Sequence, residues 1–268
     1  MDKRKIKFVD AGDYERKALA ILRVTGNLRL VGETGVGKTT FVHYLCDKYN
    51  WKLYEYALTS DTSRWDLLAQ DVLEKGTTKV REGIVALWLK DNDFDKYDAI
   101  VLYLDEFNYA DPSVLSLTNS LADFRKSIFI PELQTTLYRS EKHYIIISYN
   151  PSEVSGYTGT FKINIAQLRR FEGLVMDWLP RHKEVNYLVQ ESSKKYYNEI
   201  TKLVDFAQQT RENYRKGSLS FPITTGNLLN YVRLLMAGLE MDDILEIVLS
   251  FYPEDEKDII RTLWGVKP

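Results

Sequence analysis

The sequence predicts an α/β fold in which a parallel central sheet is flanked by helices and followed by a small all-helical unit. Three observations lead there. Short apolar runs alternate with segments of helical spacing over the first two thirds of the chain, the pattern of strands joined by helical crossovers. Two of those runs, residues 100–104 (IVLYL) and 144–148 (YIIIS), are nearly all apolar, as central strands covered on both faces must be. Beyond Leu179-Pro180 strand-like runs cease and helical spacing alone remains, which divides the chain into residues 1–180 and 181–268.

Taken in order, residues 28–31 read as a strand running into a glycine loop, and residues 52–57 (KLYEYA) as a second strand. The IVLYL and YIIIS runs follow, and residues 173–176 form a weaker fifth strand. Between the two central runs, residues 128–137 (IFIPELQTTL) break around Pro131-Glu132 and predict a small inserted hairpin. In the second unit Ile200, Leu203, Val204 and Ala207 share one helical face, as do Leu228, Val232 and Leu235, and Ile244, Ile247 and Val248. Pro253 followed by Glu254, Asp255 and Glu256 marks a helix start, with negative charge at the positive end of the dipole.

Composition narrows the classes. The 268 residues are 44% hydrophobic and 28% charged, ordinary for a globular protein with a sizeable core. Lys and Arg number 36 against 38 Asp and Glu, a formal charge of −2, so no global basic excess marks a nucleic-acid or anionic-membrane partner. The single cysteine, Cys46, cannot form an intrachain disulfide and reads as core packing. Met1-Asp2-Lys3-Arg4-Lys5 is basic, but no apolar stretch of signal-peptide length follows, and no apolar run approaches a membrane span. The cytoplasm is the expected compartment. Three histidines, His43, His143 and His182, share no metal-ligand spacing, so no zinc is expected. Trp65 and Trp88 read as core residues of an inserted segment.

The chemistry sits in three places. Gly32-Glu33-Thr34-Gly35-Val36-Gly37-Lys38-Thr39 matches G-x-x-x-x-G-K-[ST] at every position, and these residues with Thr40 are the expected nucleotide-binding set. The glycines let the backbone turn so that successive amides face phosphate oxygens, and the following helix aims its positive end at the same anion. Lys38 would bridge the β- and γ-phosphates of ATP, and the Thr39 hydroxyl would ligate Mg²⁺. Second, IVLYL leads straight into Asp105-Glu106. Two adjacent carboxylates at the end of a buried strand are costly unless they have work to do. Asp105 would hold Mg²⁺ through a coordinated water, and Glu106 would polarise the water that attacks the γ-phosphate. Third, YIIIS ends in Tyr149-Asn150-Pro151. An Asn there can donate and accept, contacting both γ-phosphate and lytic water as a sensor.

With these elements in this order the chain resembles the MoxR and dynein-related branch of the AAA+ P-loop ATPases, and within it the NorQ/CbbQ-type members. The resemblance rests on the phosphate loop, Leu104-Asp105-Glu106-Phe107-Asn108, Ile147-Ser148-Tyr149-Asn150-Pro151, Ala166-Gln167-Leu168-Arg169-Arg170-Phe171 and Arg81-Glu82-Gly83-Ile84. It spans about residues 9–178 and, more loosely, the helical lid. It implies an oligomeric ring, usually a hexamer, with ATP bound between subunits. Arg170 stands where the family has an arginine finger that reaches the neighbouring site, and Arg169, where the family commonly has Asp, leaves the choice within the doublet open. Residues 127–138 correspond to the family's hairpin before the sensor strand, and residues 60–95 to its insertion after the second strand. Where the family's lid supplies a second sensor arginine, this chain has Thr224-Thr225-Gly226-Asn227-Leu228, and the nearest arginine is Arg233. That departure puts turnover in question more than binding. The expected activity is ATP hydrolysis spent on remodelling or activating a protein client, in this family often one with a von Willebrand factor A domain. The alternatives are a nucleic-acid-handling AAA+ ATPase (an initiator, loader, viral motor or McrB-like subunit) and a non-hydrolysing nucleotide-binding scaffold.

Overall fold

Residues 6–151 and 163–265 are described by a computed structural model of the chain. The basic stretch at residues 1–5 lies outside them. Contacts divide the chain into two units. Among the described residues the first takes in those up to Glu33, from Gly37 to Pro151 and from 163 to Met176, and the second takes in Asp177 onward together with the loop tip Thr34–Val36.

The first unit opens with helix α1, Tyr14–Thr25. It has no counterpart among the segments singled out from the sequence, although Tyr14, Ala18 and Leu22 recur four apart and are its buried residues. The Asp10 carboxylate anchors its start, accepting from the Tyr14 and Glu15 amides at 2.8 and 3.0 Å. Strand β1 (Asn27–Val31) runs into the glycine loop and helix α2 (Lys38–Lys48), which returns the chain to β2 (Trp51–Ala57). The insertion follows as a short helix α3 (Arg64–Leu67), an antiparallel hairpin of β3 (Ala69–Glu74) and β4 (Thr77–Glu82), and helix α4 (Ile84–Lys90). Trp88 of α4 is fully buried and donates its indole N–H to the Ile100 carbonyl at 3.1 Å. Trp65 is 43% exposed. The expectation of core packing therefore fails for Trp65, because α3 is too short to bury both faces and turns this ring outward over Arg64.

Strand β5 (Ala99–Asp105) crosses the centre of the unit. Two one-turn helices, α5 (Pro112–Leu115) and α6 (Asn119–Ala122), lead to the small hairpin of β6 (Ser127–Ile130) and β7 (Thr135–Tyr138), whose connection contains the Pro131-Glu132 break. Strand β8 (His143–Tyr149), the short helix α7 (Ile165–Leu168) and β9 (Glu172–Val175) complete the unit. The main sheet has the order β2-β5-β8-β1-β9 and all its pairings are parallel. Every residue from Ala99 to Leu104 is at most 1% exposed, as are Ile145, Ile146 and Ile147, which explains why these two strands carried no polar alternation. In a parallel sheet of this order the carboxyl ends of β1, β5 and β8 lie side by side, where loops rather than pairing partners surround the chain.

The second unit contains helices α8 (Arg181–Glu191), α9 (Tyr197–Arg215), α10 (Thr225–Met236), α11 (Met241–Phe251) and α12 (Lys257–Trp264). The stripes read from the sequence face its core: Ile200, Leu203, Val204, Ala207, Leu228, Ile244 and Val248 are wholly buried, and Ile247 packs at the margin. Pro253 starts a turn of 3-10 helix, Glu254–Glu256, before α12 begins. Inside this unit Glu184 and Arg211 form a two-pronged ion pair, with both N···O distances 2.8 Å and both side chains at most 2% exposed. Among the described residues no helix is long and apolar enough to cross a membrane.

Candidate active site

The glycine loop turns at two residues that only glycine adopts readily. Gly35 has φ 78° and Gly37 has φ 94°, both left-handed. Gly37 is the N-cap of α2, so the amides of Lys38, Thr39 and Thr40 lie in the first turn, where a helix has no carbonyl to offer them. Among the described residues the amides of Gly35, Val36, Gly37 and Lys38 donate to no backbone carbonyl. A row of free amides ahead of a helix start is a donor set suited to phosphate oxygens.

Lys38 is 8% exposed, and its ammonium donates to the Gly32 carbonyl at 2.6 Å, the Glu33 carbonyl at 3.2 Å and Asn150 Oδ1 at 2.7 Å. Burial pushes its pKa down, against the pull of the Glu106, Asp105 and Glu33 carboxylates. The last of its bonds joins the loop after β1 to the tip of β8, and so places Asn150 beside the phosphate loop. The Thr39 hydroxyl donates to Asp105 Oδ2 at 2.7 Å, which brings together the two groups expected to hold a magnesium ion. A hydroxyl and a carboxylate on neighbouring elements are hard oxygen ligands of the kind Mg²⁺ takes, and Asp105 is partly open to solvent, so the residues fit the ion.

Glu106 follows at the turn that ends β5, with φ 53°. A left-handed backbone at a residue with a side chain costs about 1–3 kcal/mol and persists only where the surroundings impose it. Here the amide of Glu106 is taken by Asp105 Oδ1 at 2.9 Å, and the next amide, of Phe107, by the Ser148 carbonyl at 2.7 Å. The turn keeps the Glu106 carboxylate 3.4 Å from Asn150 Nδ2, so acid and sensor share one cleft. Burial raises the pKa of Glu106 and the neighbouring Asp105 raises it further, with Lys38 opposing both. A carboxylate made more basic in this way is a better proton acceptor at neutral pH.

Three residues of the cluster were not singled out for a role by sequence reasoning. Tyr103 and Ser148 lie beneath Asp105, with the Tyr103 hydroxyl donating to Ser148 Oγ at 3.0 Å and Ser148 Oγ donating to Asp105 Oδ1. Asn108 is 1% exposed; its amide donates to the Asn150 carbonyl at 3.5 Å and its Oδ1 has no partner among the described residues. The signal was present in the polar atoms that interrupt otherwise apolar runs, Tyr103 within IVLYL and Ser148 at the end of YIIIS.

The arginine doublet lies apart. Arg169 caps the short helix α7 and is exposed. Arg170 turns back on its own segment, donating to the Ala166 carbonyl and standing 3.9 Å from Asp123. Among the contacts of the described residues neither is hydrogen-bonded or ion-paired to Lys38, Asp105, Glu106 or Asn150. Thr40 is exposed on the first turn of α2.

The model of the AAA domain, dynein-related subfamily, matches residues 27–171, more than half of the chain, including strands β1 to β8 and ending just before β9. The chain belongs to the dynein-related AAA family. It is thereby an ATP-hydrolysing P-loop protein, as the resemblance to the MoxR and dynein-related branch implied. Among curated relatives, this AAA chain is 25% identical over 238 residues to the denitrification regulatory protein NirQ of Pseudomonas aeruginosa, covering 88% of this chain and 86% of NirQ. It is 27% identical over 223 residues to midasin of Giardia intestinalis, 82% of this chain but only 4% of midasin. An uncharacterised protein of Staphylococcus saprophyticus is 24% identical over 208 residues, 76% of this chain and 75% of its own length. Among solved structures, one of a Cytophaga hutchinsonii protein aligns over 98% of this chain and 91% of its own at 16% identity, with a TM-score of 0.49.

Proposed function

We propose that this AAA protein hydrolyses ATP with Mg²⁺ in a ring-shaped homo-oligomer, hexameric as in the family picture, and uses the cycle to remodel or activate a protein client. The observation that carries the reading is the single cluster in which Lys38, Asn150 and Glu106, and beside them Thr39 and Asp105, meet at the tips of three adjacent strands. Lys38 binds the β- and γ-phosphates, and the loop amides from Gly32 to Thr40 wrap the same oxygens. Thr39 and Asp105 would hold the magnesium ion, which would supply positive charge against the phosphate oxygens. Glu106 accepts a proton from the attacking water, and the Asn150 amide orients that water against the γ-phosphate. Arg170, or Arg169 beside it, completes the neighbouring subunit's site by meeting charge that develops on the γ-phosphate.

The charge count supports a site finished by further cations. Lys38 faces two carboxylates, Asp105 and Glu106, so a triphosphate polyanion needs additional positive charge, which the metal and an arginine in trans supply. A regulatory role accords with the name of the relative NirQ, a denitrification regulatory protein, and a von Willebrand factor A domain is the partner module to test first. Two measurements test the reading. Hydrolysis per subunit should rise with protein concentration as subunits assemble, and a rate that stays constant over a hundredfold dilution contradicts the oligomer. Lys38→Ala should abolish nucleotide binding, and tight binding by that variant contradicts the phosphate-loop assignment.

A further inference from the structure

Beneath the residues that hold the metal lies a buried chain of hydroxyls with no assigned role. Tyr103 on β5 and Ser148 on β8 face each other across adjacent strands and are both wholly buried. Each hydroxyl has one proton to give. The Tyr103 proton goes to Ser148 Oγ at 3.0 Å, the Ser148 proton to Asp105 Oδ1, and from the other side the Thr39 proton goes to Asp105 Oδ2 at 2.7 Å. Both carboxylate oxygens are therefore held by hydroxyl donors, and the Glu106 amide adds a second bond to Oδ1 at 2.9 Å.

This proton count settles a further contact. The Thr39 and Tyr103 oxygens approach to 3.4 Å, yet both protons are already committed, to Asp105 and to Ser148. The contact is oxygen against oxygen, and no donor competes for the lone pairs of Thr39. Those lone pairs remain available on the side away from Tyr103, where a cation can take them.

We infer that Tyr103 and Ser148 are positioning residues for magnesium: their hydroxyl relay fixes the Asp105 carboxylate and leaves the Thr39 oxygen presented to the metal. The inference rests on the assignment of Thr39 and Asp105 to Mg²⁺ made above. Partners one step behind metal ligands typically change metal affinity by about 10- to 100-fold when removed.

The test compares the parent with Tyr103→Phe and Ser148→Ala, which keep shape and remove one hydroxyl each. Binding of a fluorescent ATP analogue is titrated first without metal and then against Mg²⁺ at fixed nucleotide. Occupancy of the site by Mn²⁺ is read separately from its paramagnetic resonance spectrum, which does not depend on turnover. The relay predicts metal-free nucleotide binding within about twofold of the parent and a half-saturating Mg²⁺ or Mn²⁺ concentration raised about tenfold in either variant. If one variant does not fold, the other carries the comparison, since each breaks the same chain. Metal half-saturation within twofold of the parent in a folded variant overturns the relay. Equal loss of metal-free and metal-dependent binding also overturns it, by making the pair merely structural. A parent whose nucleotide binding ignores Mg²⁺ overturns the underlying assignment itself, a result distinct from the other two.

Discussion

Two buried clusters of charge, one in each unit, show how differently the same residue types can be used. In the second unit each of the three guanidinium nitrogens of Arg211 donates a hydrogen bond. Two go to Glu184 at 2.8 Å each and the third to the Ile223 carbonyl at 2.8 Å. Glu184 in turn accepts from Thr225 at 2.6 Å and from Gln208 at 3.3 Å. One charge meets one charge, the bonds close on themselves, and Thr225 ties the first turn of α10 to the pair. In the first unit one ammonium faces two adjacent carboxylates, Glu106 stands in a left-handed turn, and burial pushes Lys38 and Glu106 toward their neutral forms. A closed network of this kind is scaffold. An open and unbalanced one has the marks of a functional site, which is where strain and shifted titration are found in proteins generally.

Several substitutions can break or sharpen that contrast. The largest effect belongs to the arginine doublet, whose side chains make few ties within their own segment and so remain able to act elsewhere. Arg170→Ala should lower kcat by about a thousandfold with nucleotide affinity retained, as read by steady-state hydrolysis beside equilibrium binding. Should Arg169→Ala alone do this, the finger is the other member of the pair.

The same change at two buried glutamates should have opposite signs. Glu184→Gln strands the Arg211 charge and should cost about 3–5 kcal/mol in urea unfolding. Glu106→Gln should raise the melting temperature slightly at pH 7. A carboxyl whose folded pKa is raised favours folding only below its unfolded pKa of about 4.3, and that contribution is lost as pH rises, so the ionised group is a burden at neutrality. The gain from Glu106→Gln should accordingly vanish in acid. If both changes destabilise alike, the open site is no more strained than the closed pair.

The smallest effect is expected at Glu15, a partly covered carboxyl paired with the exposed Lys48, where burial works to raise the carboxyl but hydrogen bonds from Lys48, Tyr49 and Tyr44 prevail and hold it at about 2. A lowered folded pKa gives stability above the unfolded value of about 4.3 that is lost as pH falls toward 2. Glu15→Gln should therefore lower the melting temperature by a degree or two at pH 7 and not at all near pH 2, because solvent screens most of the interaction.

Much of this was legible in the sequence because the chemistry imposed it locally. IVLYL and YIIIS had to be central strands because no charged residue and no polar alternation breaks them, and a G-x-x-x-x-G-K-T loop after a strand leaves little choice of partner for Lys38. The meeting of Asn150 with Lys38 follows once the strand order is known. Helix α1 went unread because its stripe of Tyr14, Ala18 and Leu22 is thin, with charged residues between and a left-handed Asp13 at its start in place of a capping side chain. Trp65 was misjudged because composition cannot tell which face of a one-turn helix meets the core. The relay through Tyr103 and Ser148 was hidden for another reason: in an apolar strand a lone hydroxyl becomes informative only when the neighbouring strand is known.

The central claim is that the open cluster holds a triphosphate and hydrolyses it through Glu106. Purified Glu106→Gln, incubated with radiolabelled ATP and Mg²⁺, is the direct test, with bound nucleotide and released phosphate counted in the same sample. The account predicts ATP retained on the protein and phosphate release reduced by at least about a hundredfold relative to the parent. Undiminished phosphate release, or no retained ATP from a folded variant, would contradict it.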